Sequence, residues 1–136
     1  MKQILVPGLV AGVILVIVSF VLSMTYTAVF PQIMTEYVNG MFRPWTDPLM
    51  MAFYAYPIVL GIALAWVWDK TKKLIKGTMI QRGVMFGLAY FVVVGIPGMF
   101  ATYTTFDMSL LMVSTWAFSG LVNEIVAGII FARMNP

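Results

Sequence analysis

The chain has 136 residues, of which 62% are hydrophobic and 10% charged, with a net charge of +3 and a mean hydropathy of +0.97. Soluble domains carry about 45–50% apolar and about 25% charged residues, so this composition excludes one, and it is far too apolar for a disordered chain. There is no cysteine and no histidine, which removes disulfides, thiolate nucleophiles, Cys/His metal patterns and histidine acid–base chemistry. No metal and no cofactor is expected, and the twelve methionines read as adaptable apolar packing.

Four apolar stretches follow one another, at about 4–30, 48–68, 83–103 and 108–132. Each reaches the roughly 20 residues a spanning helix needs, and each is apolar all round, which points to lipid on the outside. Backbone groups in lipid must pair within their own segment, so the stretches are expected to be helices. The expected fold is therefore an all-α integral membrane protein, one domain over 1–136. It is a bundle of four transmembrane helices in two antiparallel hairpins. The first stretch is too long for the apolar core of a signal peptide and reads as a retained helix.

Charge placement orients the bundle. Lys2, Lys70, Lys72, Lys73, Lys76, Arg82 and Arg133 fall on one side of this arrangement, and of the eight basic residues Arg43 alone falls on the other. The positive-inside rule puts both termini and the basic loop 69–82 in the cytoplasm of a cell with a plasma (inner) membrane. Lys70, Lys72, Lys73 and Lys76 are expected to attract anionic lipid headgroups. No aromatic interleaving accompanies them, so nucleic acid is not an expected partner. Trp66 and Trp68 at the inner side, and Tyr26, Trp45 and Tyr103 at the outer side, match an interfacial aromatic belt.

The outer loop between the first two stretches is not plain linker. Ile33, Met34, Tyr37, Val38, Met41 and Phe42 recur on one helical face, with Pro31 at the first position. A short amphipathic helix over 32–43 is expected, lying on the outer leaflet or docked as a lid over the span ends. Asp47 and Asp107 each precede a span and read as solvated helix caps.

Glu124 is the most informative residue. It sits inside the fourth stretch beside Asn123, about 12 Å from the cytoplasmic end at the helical rise. Intramembrane carboxylates are rare and face the bundle interior. Ala117, Gly120, Ala127 and Gly128 share its face, and small residues mark helix contacts. Tyr90 lies at similar depth and is expected to be able to hydrogen-bond the carboxyl, while Arg82 or Arg133 could reach it by snorkelling. Three roles fit: a proton or cation site, polar glue between helices, or pairing with a partner chain. Gly8 and Gly12, Gly61 with Ala65, and Gly83 with Gly87 form further small-residue ladders, which say nothing of whether the neighbouring helix belongs to the same chain. Pro57 and Pro97 interrupt the second and third stretches and are expected to kink them.

No nucleophile–base pair, phosphate loop or metal constellation stands out, so no catalytic residue and no enzyme activity is expected. The expected role is a non-catalytic subunit or scaffold of a membrane assembly, as a homo-oligomer or with other membrane subunits. The alternative is a small proton- or cation-coupled transporter or channel using Glu124. Four helices with one buried glutamate and glycine ladders resemble in architecture the small multidrug-resistance exporters, which implies transport. In that family the glutamate lies on the first span, and here the first span carries no acid, so no site residue is carried over.

Overall fold

The structure, a computed structural model, describes residues 1–38, 42–44 and 46–136, and all of its regular structure among them is helical. Seven α-helices run α1 Lys2–Val29, α2 Ile33–Val38, α3 Pro48–Phe53, α4 Tyr56–Thr71, α5 Met79–Tyr90, α6 Ile96–Thr105 and α7 Leu110–Met134, with a π-helical segment Phe91–Gly95 joining α5 to α6. Taken as continuous rods, Lys2–Val29, Pro48–Thr71, Met79–Thr105 and Leu110–Met134 are each long and apolar enough to cross a membrane.

The rods extend past the apolar stretches into the basic loop, because capping residues set their ends. Thr78 and Gln81 form a reciprocal capping box, with Thr78 N–H donating to Gln81 Oε1 at 2.9 Å and Gln81 N–H to Thr78 Oγ1 at 3.3 Å, so α5 starts at Met79 and not at Gly83. Gly77 turns the chain into that cap at φ +124°, where a side chain is strained.

At the far end, Ser109 caps α7 by accepting from Met112 N–H at 3.1 Å. Asp107 was the expected cap there and is exposed instead. Asp47 does cap α3, accepting from Leu49 N–H at 2.8 Å and pairing with Arg43 at 2.9 Å. Those two contacts, the first above all, hold its carboxyl below the usual carboxylate range.

Helix packing is by glycine. A Cβ added to Gly8 or Gly12 would lie 2.7 Å from Ile62 Cα or 2.6 Å from Ile58 Cα, so α1 and α4 run in opposite directions with their backbones touching. Gly83 and Gly87 meet Ile129 and Ile125 in the same way, at 2.5 and 2.6 Å from their Cα atoms, which joins α5 to α7. α1 also lies along α7, and α4 and α5 flank this central pair. Gly120 was expected in a helix contact, yet nothing lies within 4 Å of its Cβ position.

Two apolar cores result. One gathers Leu15, Leu64, Trp68, Phe86, Ala127 and Phe131 at the end carrying both termini and the basic loop. The other, at the opposite end, seats Ile33 of α2 against Met108, Met112 and Val113.

α2 is shorter than the expected 32–43 segment: its helix ends at Val38, Phe42 is not helical, and Asn39, Met41 and Trp45 lie outside the described residues. Its contacts are those of a lid docked on the bundle. Glu36 accepts from Ser109 N–H at 2.9 Å and from its hydroxyl at 2.5 Å, and the Tyr37 hydroxyl accepts from Trp116 Nε1 at 3.1 Å. A carboxylate at a helix N-terminus is favoured by the exposed N–H groups there. Ser109→Ala removes the cap and the Glu36 anchor together. We expect a loss of about 0.5–2 kcal/mol, read as a lowered melting temperature in detergent micelles.

The second rod is broken. Pro57 offers no N–H to the Phe53 carbonyl, and Tyr54 and Ala55 close tight turns onto Met51 and Ala52 carbonyls instead. Pro57 therefore sits in the first turn of α4, where it is tolerated. Pro97 sits likewise in the first turn of α6. The wider π-helical turn before it, in which Ile96 N–H reaches back to Phe91 O, absorbs the irregularity.

Candidate functional site

Glu124 projects from α7 into the contact with α5. Its backbone touches the Gly87 position, the residue is 6% exposed, and its Oε2 is buried without a hydrogen-bond partner. A buried ionic group in that state is costly. Tyr90 on α5 and Tyr56 on α4 lie within electrostatic range of the carboxyl, but no hydrogen bond joins Tyr90 to it.

Neither arginine reaches Glu124 either. Arg82 donates to Ile75 O at 3.0 Å and Lys72 O at 3.1 Å and lies over the Trp68 ring, while Arg133 is exposed at the end of α7. Asn123 points the other way and donates to Ser19 Oγ on α1 at 2.9 Å. One turn further on, Ser119 donates to the Tyr26 hydroxyl at 3.3 Å. These two bonds form the polar seam between α1 and α7; Asn123 serves it through Nδ2, while its Oδ1 is buried without a partner, as Glu124 Oε2 is.

Tyr56 was not among the residues singled out from sequence. Its signal is the break before Pro57, at which α4 begins.

A second polar cluster sits at the basic end. Pro7 cannot donate to the Gln3 carbonyl one helical turn back. The side chain of Asn135 takes that place, donating to Gln3 O at 3.1 Å and to Asp69 Oδ1 at 3.1 Å. Asn135 also accepts from Lys72 Nζ on its Oδ1 at 2.5 Å and from Trp68 Nε1 on its carbonyl at 2.8 Å.

Two expectations change here. Trp68 is wholly buried and is a core residue, not a belt anchor, while Trp66 is 56% exposed. Lys72 spends its ammonium inside the protein, which leaves Lys70, Lys73 and Lys76 as the exposed cations of that loop.

Between Glu124 and this cluster stands an aromatic stack. Trp68 meets Phe86 edge-on at 5.3 Å, and Phe86 meets Phe131 at 6.2 Å. Two open, apolar hollows lie on the outside of the bundle. One of about 710 Å³ runs along α5 past Val84, Leu88 and Val92. Another of about 280 Å³ lies between α6 and α7 at Phe91, Met99 and Val113.

Comparison with protein-family models, with curated proteins and with solved structures finds no match for this chain.

Proposed function

We propose that the protein is a non-catalytic subunit of a membrane assembly, inserted as two antiparallel helical hairpins. In this reading both termini and the basic loop lie in the cytoplasm and the plasma membrane is the host. The observation that carries it is the close backbone packing of the helix pairs. The helix pairs meet through Gly8, Gly12 and Gly61 and through Gly83, Gly87 and Gly128, which put backbone against backbone. Such close backbone approach is how membrane helices associate through small residues. Lys70, Lys73 and Lys76 then face anionic headgroups, each contributing about 1 kcal/mol. The outward apolar faces of α4 and α5, with Val59, Trp66, Met85 and Leu88 exposed, meet lipid or neighbouring subunits.

The test has two arms. Extracted in a mild detergent, the protein is expected at a native mass well above the 15.2 kDa of one chain. Reconstituted in vesicles, it is expected to pass no protons or alkali cations beyond the leak of empty vesicles. A monomer in the first measurement, or flux abolished by Glu124→Gln in the second, overturns the reading.

A further inference from the structure

We propose that the Glu124 carboxyl is a binding site for one exchangeable proton, reached past Tyr56 and Tyr90 from the end of the bundle opposite the basic loop. The inference does not depend on the assembly reading, since a proton site can exist with or without partner subunits.

The ligand follows from the surroundings. Glu124 is more than nine-tenths buried and its Oε2 has no donor. An ionised carboxylate there would be an uncompensated charge in an apolar contact. A metal ion needs several oxygen ligands, about six to eight for calcium, and the described residues hold no cluster of three acidic ligands. A proton needs only the carboxyl itself.

The groups facing it are few. α4 contributes Tyr56 and α5 contributes Tyr90. α1 carries no titratable side chain between Lys2 and Tyr26, and its Ser19 is engaged by Asn123. Lys72 and Arg82 are held in the basic-end cluster, and Arg133 is exposed at the helix end. Among the described residues, no cation within the bundle pairs with the carboxyl.

The direction of access follows from packing. Towards the basic end, the buried Trp68, Phe86 and Phe131 rings close the bundle. Towards the opposite end, α3 takes no part in the principal helix contacts, and both rods beside Glu124 lose regular helical bonding. Tyr56 is 57% exposed there, so the first residue of α4 reaches the surface of the bundle.

The experiment uses the wild-type chain in sealed vesicles of known orientation, treated with dicyclohexylcarbodiimide, which adds to protonated carboxyls in apolar surroundings. Peptide mass spectrometry locates the adduct. Labelling is expected at Glu124, with Glu36, Asp47, Asp69 and Asp107 as unlabelled internal controls. It is expected to fall about tenfold for each pH unit once the carboxyl ionises, and to follow a rapid pH change on the side away from the basic loop only. Absence of an adduct at every pH overturns the site. Labelling indifferent to pH overturns exchange, and protection by sodium or potassium overturns the proton as the ligand. A response to the basic-loop side overturns the route. Because every arm reads the wild-type protein, a Glu124→Gln variant is needed only as the blank for peptide assignment.

Discussion

Gly87→Leu is expected to abolish the packing of α5 on α7 and to leave little folded protein at ambient temperature. The Cβ alone would stand 2.6 Å from both Ile125 Cα and Ile125 N and 2.7 Å from the Glu124 carbonyl carbon. These are backbone atoms, so no rotamer change relieves the clash and the helices must separate. Overpacking of an ordinary core costs about 1–3 kcal/mol where side chains can yield; here they cannot, and the loss is expected at or above the top of that range. Gly61→Leu, whose Cβ would fall 2.5 Å from Gly8 O, is expected to separate α1 from α4 similarly. Gly120→Ala is the control of opposite sign. Nothing lies within 4 Å of that position, and alanine gains up to about 1 kcal/mol of helix propensity over glycine. Unfolding in mixed micelles of increasing SDS fraction measures all three, and a Gly87→Leu curve that overlays wild type would refute the backbone contact.

Trp68→Ala is expected to cost about 3–5 kcal/mol, the range for removing a buried tryptophan or phenylalanine. The indole is wholly buried, donates to Asn135 O, packs edge-on against Phe86 and lies beneath the Arg82 guanidinium at 5.3 Å. Its loss opens a cavity and removes the donor to Asn135 together. Trp66→Ala, two residues away and 56% exposed, is expected to shift the same SDS midpoint by less than about 0.5 kcal/mol. Equal shifts for the two variants would mean that Trp68 is not the keystone of the basic end.

The four long apolar helices were legible because their signal is compositional: length and apolar character on every side need no knowledge of neighbours. Which tryptophan enters the core was a matter of periodicity. Trp68 follows Gly61 and Ala65 on one helical face, seven and three residues on, and that face is the one packed inside. Hydropathy at a span end does not separate such a residue from a belt anchor.

Gly120 shows the reverse limit. It shares a face with Glu124, but nothing lies within 4 Å of its Cβ position, and no local pattern in α7 records how near a neighbouring helix comes. The end of α7 offered two candidate caps, Asp107 and Ser109. The choice between them is made by Glu36, 73 positions away in the chain, so it could not be read locally. The Asn135 cluster went unread for the same reason. Its logic begins with a carbonyl left free by Pro7, at the other end of the sequence.

That carbonyl has a bearing on biosynthesis. The bond from Asn135 to Gln3 joins residues 132 positions apart, so it cannot form until nearly the whole of this sequence has left the ribosome. The Gln3 carbonyl of α1 thus gains this partner only after α7 has been made, and the same Asn135 side chain then ties α1 to Asp69 at the end of α4.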